Sequence, residues 1–268
     1  MIRRYSVPLS AVIFGVLCSV SDWMNRNLGG GGLILIAGTI AVVLLLLAWR
    51  SRDYEVHEKW RFEDYFAGDD TLLKLFSVVG GLLLALGGIG TIAFTALAGE
   101  FTLSVLPQFV LGILAVAAFA ACVVLAKVQA RGEINEQSAQ TTLLLLVWAA
   151  MYLIVLFKGN NTNPYLYTYL TGLLGAVFLT LAFLFYARFL FGKVMPRAFL
   201  FCAGAATLLV FTSAGGYALT TMLPGASAMG ADTLTFTYHI SALGAAVYLV
   251  GQMIRMCAPR RQTYYWQD

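Results

Sequence analysis

The hydrophobic positions of the chain are grouped into eight long intervals that contain no Asp, Glu, Lys or Arg. A helix needs about 20 apolar residues, each rising 1.5 Å, to cross about 30 Å of hydrocarbon. The pattern therefore predicts an all-α, polytopic integral membrane protein, a single domain with eight transmembrane helices. We place them at residues 5–21, 30–49, 75–97, 104–126, 139–157, 166–187, 198–221 and 234–254.

The first interval is the shortest, and two basic residues, Arg3 and Arg4, precede it, as in a secretory signal peptide. No small-x-small cleavage pattern precedes Ser21-Asp22, however. Leu17 also occupies the place before Cys18 where a lipoprotein signal requires a small residue. We therefore expect a retained first helix; seven spans remain if it is removed.

The composition supports the same class. The 268 residues are 60% hydrophobic and 11% charged, with a mean hydropathy of +0.81. Soluble domains have a charged fraction of about 25%. The composition excludes a soluble domain and makes membrane lipid the first expected partner.

The basic residues are concentrated at every second junction between the spans. Only 2 of the 17 Lys and Arg residues, Arg26 and Lys158, fall at the other junctions. Because Lys and Arg in short loops are retained on the cytoplasmic side, both termini are predicted to be cytoplasmic. The compact plan with short loops favours a bacterial cytoplasmic membrane. This bias also accounts for the net charge of +4, which therefore does not indicate nucleic acid as a partner.

Two halves of four spans each result when the chain is divided after residue 136. Leu111-Gly112 in the fourth span then corresponds to Leu243-Gly244 in the eighth. A parallel 4+4 repeat is one explanation, and chance similarity between Gly- and Ala-rich helices is the other.

Small residues mark one face of the third span. Gly81, Ala85 and Gly88 follow each other at helical spacing. Small residues allow the backbones of two transmembrane helices to approach closely. We expect a neighbouring helix to pack directly on this face.

The longest hydrophilic stretch, residues 50–74, is predicted to be an amphipathic cytoplasmic loop. It combines seven acidic and five basic residues with five aromatic ones. A helix over residues 53–66 would place its rings in the headgroup layer or against a cytoplasmic or membrane protein partner. Trp60, Phe62 and Tyr65 are the predicted partner-binding residues. The alternative is a solvated loop with aromatic anchors.

Catalytic and metal-binding patterns are not found in the sequence. His57-Glu58 starts a sequence like the zinc protease motif H-E-x-x-H, but Arg61 stands where the second histidine is required. The other histidine, His239, is predicted at the opposite side of the membrane, so a bis-histidine haem is not expected. We predict no catalytic residue, no metal site and no cofactor.

A polar layer is predicted at the outer ends of the spans. We expect Asp22, Glu100, Asp232, Tyr238 and His239 to line an outward-facing vestibule that binds a small polar or cationic solute. The alternative is that these residues belong to ordinary polar loops and to the interfacial aromatic belt.

Three functions are compatible with these patterns. The favoured one is a transporter or solute-binding membrane component that uses the vestibule. The second is a non-catalytic membrane subunit or scaffold that binds a partner through residues 50–74. The third, an intramembrane enzyme acting on lipid, is the weakest, because the sequence shows no pair of nucleophile and base.

Overall fold

The computed structural model describes residues 5–28, 33–54, 61–68, 70–97, 105–132, 136–160, 167–223 and 233–258. Within these residues the chain is helical and contains no strand. The described residues form ten α-helices and one π-helical segment. In chain order they are α1 Ser6–Leu28, α2 Leu33–Arg52, α3 Phe62–Phe66, α4 Thr71–Leu97, α5 Leu106–Arg131, α6 Glu136–Asn160, α7 Tyr167–Leu190, α8 Pro196–Val210, the π-helical segment Phe211–Gly215, α9 Gly216–Met222 and α10 Thr233–Cys257.

The predicted fold class and the eight spans are confirmed. In the described residues, eight segments are long and apolar enough to cross a membrane. One of them combines α8, the π-helical segment and α9, at Pro196–Met222. Leucine and isoleucine side chains on their outer faces are widely exposed, for example Ile34 at 82% and Leu45 at 72%. Such continuous apolar surface suits lipid as the solvent.

The helices extend beyond the apolar intervals. α1 continues past residue 21 to Leu28, and α4 begins at Thr71, four residues before the predicted start. The polar residues at these ends satisfy their backbone groups within the helix. α5 stops at Gly132, whose φ of 74° is the left-handed conformation that glycine adopts most easily.

Six spans form a closed ring. α10 packs against α4 and α8, and the neighbours from α4 to α8 follow the chain order through α5, α6 and α7. α1 and α2 pack on this ring at α8. We call the end of the bundle where α1 begins the inner end, and the opposite end the outer end.

α4 contacts its two neighbours through glycine. A methyl group built on Gly80 would lie 2.7 Å from the carbonyl oxygen of Gly244 in α10. One built on Gly88 would lie 2.8 Å from the carbonyl oxygen of Gly112 in α5. The close packing predicted for the face that includes Gly81 and Gly88 is thus confirmed, with α5 as the neighbour. The sequence reading missed the second face, which packs on α10.

The 4+4 repeat is not confirmed. In the second half, α7 packs against the next span, α8. Its counterpart in the first half, α2, packs against α1 and α8. The two Leu-Gly pairs do resemble each other in one respect, since Gly112 and Gly244 both contact α4. The repeat remains a prediction.

The aromatic part of the 50–74 loop lies inside the bundle, which corrects the expected exposure of Phe62 and Tyr65. In α3, Phe62 is 2% exposed, Tyr65 is 1% exposed and Phe66 is fully buried. The ring of Tyr65 packs edge-on against Phe189 of α7. Both side chains are thus buried against helices of the same chain, and their role in binding a partner stays a prediction. Trp60 and the rest of residues 55–60, in the middle of the predicted helix over residues 53–66, lie outside the described residues.

Polar contacts hold this segment on the inner end. Arg255 of α10 donates to Asp70, with 2.7 Å between Nη1 and Oδ2, and also to the carbonyl oxygen of Ala67. The backbone N–H of Gly68 donates to the carbonyl oxygen of Gln129 in α5 at 3.0 Å. The segment between α3 and α4 is therefore attached to both α5 and α10.

A buried hydrogen-bond network lies directly under α3. The side-chain amide of Gln129 donates to Gln252 Oε1 at 2.6 Å and to the Tyr186 hydroxyl at 2.9 Å. The hydroxyl groups of Tyr186 and Tyr248 are 3.3 Å apart. This network joins α5, α7 and α10, and it satisfies polar groups that would be costly to leave unpaired in an apolar interior.

Candidate functional site

The outer end of the bundle contains a buried ion pair. Asp22, near the end of α1, is 1% exposed and accepts hydrogen bonds from Arg26 one turn later. The Arg26 Nε and Nη2 atoms both lie 2.8 Å from Asp22 Oδ2. The guanidinium group of Arg26 also lies over the ring of Tyr217 in α9, with 5.8 Å from Cζ to the ring centroid. The spacing of four residues places both charges on one face of α1.

Small residues explain why Asp22 is buried. α1 packs against the π-helical segment and α9, where a methyl group on Gly215 would lie 3.1 Å from the Ser19 Cβ atom. A methyl group on Gly216 would lie 3.1 Å from the Asp22 Cβ atom and would also collide with its carboxylate. The absence of side chains at these two glycines allows α9 to cover the carboxylate.

The π-helical segment directly precedes α9, the helix that covers Asp22. Its Thr212 and Ser213 hydroxyls donate to the carbonyl oxygens of Leu208 and Leu209, one turn earlier, at 2.8 and 2.9 Å. Such back-bonding bends helices, and π-helical turns are frequent at functional sites. The eighth-span face that carries His239 lies beside it, since α10 packs against the π-helical segment and α9.

His239 lies in a cage of aromatic rings. Its Nδ1 atom is 3.1 Å from the Tyr152 hydroxyl of α6. The rings of Tyr217 and Tyr238 have centroids 5.0 and 5.1 Å from the imidazole centroid. Tyr217 therefore contacts both Arg26 and His239. The resulting polar cluster consists of Asp22, Arg26, Tyr152, Tyr217, Tyr238 and His239, and we call it the outer cluster.

The sequence reading missed Tyr152 and its neighbour Trp148. Both are in α6, and the two rings stack with centroids 5.7 Å apart and planes 8° apart. Trp148 is fully buried, Tyr152 is 1% exposed, and the four-residue spacing places them on one helix face. This Trp-x-x-x-Tyr pattern, with two polar tips in an apolar span, is the signal that would have identified them.

Several buried polar atoms of α1 and α6, in or next to the outer cluster, lack a hydrogen-bond partner in the described residues. Within the described part of the chain, the buried atoms Asp22 Oδ1, Asn25 Oδ1 and Trp23 Nε1 have no hydrogen-bond partner. The same holds for Trp148 Nε1. Buried polar groups are normally paired, so each of these atoms requires an explanation. Two acceptors and a donor within one turn of α1 offer hydrogen-bond positions to a small polar molecule.

The structure joins three of the five predicted solute-binding residues. Asp22, Tyr238 and His239 belong to the outer cluster, whereas Glu100 and Asp232 lie outside the described residues. Asp22 and His239 are buried, with 1% and 7% exposure, so the expected vestibule is closed at these residues. Phe62 and Tyr65 lie at the other end of the bundle, and Trp60 lies outside the described residues.

No group of three His, Cys, Asp or Glu side chains with metal-binding geometry occurs among the residues that the structure describes. All four cysteines, Cys18, Cys122, Cys202 and Cys257, are buried as free thiols.

The fold and the outer cluster define a class: a polytopic α-helical membrane protein with a buried polar cluster at one end of its bundle. Comparisons with protein-family models, with curated proteins and with solved structures found no match to the chain.

Proposed function

We propose that this protein is a solute-binding membrane component or transporter whose binding site is the outer cluster. The solute is small and polar, and it carries hydrogen-bond donors, as an amine or a guanidinium group does. The observation that supports this proposal is the Asp22 carboxylate, which is 1% exposed and has one oxygen atom without a donor in the described residues.

The Asp22 Oδ1 atom is buried without a hydrogen bond, which is energetically unfavourable. Leaving a buried polar atom unpaired costs about 1–3 kcal/mol, and more for a charged group. The Nε and Nη2 atoms of Arg26 both contact the other carboxylate oxygen, Oδ2. A donor from a solute would remove the cost, and the aromatic rings of Tyr217 and Tyr238 would cover the solute on its apolar side.

The distribution of basic residues supports one orientation of the protein in the membrane. With Arg26 and Lys158 as the only basic residues at the outer junctions, both termini are cytoplasmic and the outer cluster faces away from the cytoplasm. In a bacterial cytoplasmic membrane, the solute would therefore enter from outside. The closed state of Asp22 and His239 then corresponds to an occluded form, and access requires movement of α1 relative to α9.

We expect the Asp22→Asn variant to lose the solute. Asparagine keeps the size of the side chain but removes the charge, and hydrogen bonds to charged groups contribute about 1.5–3 kcal/mol. Affinity should fall about 10- to 100-fold. The measurement is native mass spectrometry of the protein released gently from its own membrane, in which the wild type should carry a small molecule in stoichiometric amount.

The matched control is Asp70→Asn. Asp70 is also paired with an arginine, Arg255, but it is half exposed and lies at the inner end. This variant should keep the bound mass. A wild-type protein without any bound small molecule, or an Asp22→Asn variant that retains it fully, would contradict the proposal.

A further inference from the structure

A surface groove at the inner end lies between α4 and α5. It encloses about 410 Å³, and its lining residues come from the first two turns of α4 and the last three turns of α5. They are Lys74, Ser77, Val78, Cys122, Val123, Ala126, Lys127, Ala130 and Arg131. The groove is remote from the outer cluster and opens on the apolar, lipid-facing side of the bundle.

The charges in the groove have one sign. Lys127 and Arg131 lie four residues apart on the same face of α5, and Lys74 faces them from α4. Among the described residues that line the groove, these three are basic and none is acidic. A basic pocket between transmembrane helices is a typical binding place for an anionic lipid headgroup.

Apart from Ser77, the rest of the lining is apolar, and it extends toward the middle of the membrane. Cys122 lies nine residues before Arg131, which corresponds to about 13 Å along the helix. Val78, Val123 and Ala126 form the walls between these levels. The small side chain of Ala126 leaves room that a hydrocarbon chain fits.

Ser77 supplies an independent observation. It lines the groove at 2% exposure, and its Oγ atom has no hydrogen-bond partner within the described residues. It lies three residues, or about 4.5 Å of helix, beyond Lys74 toward the middle of the membrane. The ester groups of a phospholipid lie at this depth when its phosphate is at the level of the basic residues.

We propose that the groove binds an anionic phospholipid. Its phosphate is held by Lys74, Lys127 and Arg131, an ester carbonyl oxygen accepts a hydrogen bond from Ser77, and one acyl chain lies along Val123 and Ala126. Zwitterionic lipids bind more weakly, because their ammonium group brings a positive charge close to three others.

The test is a lipid titration followed by native mass spectrometry of the detergent-purified protein. Phosphatidylglycerol is compared with phosphatidylcholine of the same acyl chains. The wild type should prefer phosphatidylglycerol, and the double variant Lys127→Gln/Arg131→Gln should bind it about 25-fold more weakly, at about five-fold for each basic residue. The matched control is Arg188→Gln/Lys193→Gln, which removes two charges at the inner end that do not line the groove; its affinity should equal that of the wild type.

A second variant tests whether the ligand of the groove is a lipid or a free anion. Ala126→Phe fills the apolar part of the groove and keeps all three charges, so it should abolish binding of phosphatidylglycerol. The variant should still show a cooperative thermal unfolding transition, as the folded wild type does. Inorganic phosphate should not compete with the lipid at millimolar concentration. Equal affinity for both lipids, unchanged binding by the double variant, or full competition by inorganic phosphate would overturn the proposal.

Discussion

The Phe66→Ala variant should lose about 3–5 kcal/mol of stability, the usual cost of removing a buried aromatic side chain. Phe66 is fully buried, and its ring contacts Tyr186, Phe189 and Phe199 with centroids 5.2, 5.2 and 5.7 Å away. These rings belong to α7 and α8, so the substitution opens a cavity where α3 closes the inner end. Thermal unfolding in detergent, followed by tryptophan fluorescence, measures the loss.

The control for this prediction is Phe191→Ala. Phe191 directly follows α7, but it is 54% exposed, so the same chemical change should alter stability by less than about 0.5 kcal/mol. If the two variants unfold at the same temperature, α3 does not pack in the bundle and residues 61–68 form the exposed, partner-accessible loop that the sequence suggested.

The Gly80→Ala variant should separate α4 from α10 and cost about 1–3 kcal/mol or more, as overpacking of a tight core does. The added methyl group would lie 2.7 Å from both the Gly244 carbonyl oxygen and the Tyr248 backbone nitrogen. Both are backbone atoms of a helix, so neither can move aside without the helix moving. The unfolding midpoint should fall, and the hydrogen bond from Ser241 Oγ to the Leu84 carbonyl oxygen, now 3.2 Å, should weaken.

Gly38→Ala in α2 is the matched control. No atom lies within 4 Å of a methyl group built there, so the variant should be as stable as the wild type or slightly more stable, because alanine favours helix. A Gly80→Ala variant that behaves like Gly38→Ala would mean that α4 and α10 do not meet through glycine.

The sequence predicts the eight spans correctly, but it does not predict that the aromatic part of the 50–74 loop packs inside the bundle. The spans follow from charge exclusion, a property that each segment has by itself. The 50–74 loop was predicted from its amphipathic pattern to lie in the interface or on a partner. Instead, Phe62, Tyr65 and Phe66 fill the space between α7 and α8, which no local pattern specifies because that space exists only in the assembled bundle.

The outer cluster shows the same division. The sequence predicts Asp22 and His239 as polar residues near span ends. The ion pair with Arg26 was not predicted, although the spacing of four residues allows it. Their meeting with Tyr152 and Tyr217 was not predictable, because those residues come from spans that are distant in sequence. The burial of Asp22 depends further on Gly216, whose importance is visible only when α9 is placed against α1.

The sequence by itself determined the solvent of this protein, the number of its spans and the sign of the charge at each junction, because hydrophobic length and charge act on each segment independently of its neighbours. The tertiary structure alone decided which polar groups are paired, which aromatic residues are buried and where a groove remains between α4 and α5. These properties depend on distances between helices, which glycines set where α4 meets α5 and α10 and where α1 meets α9.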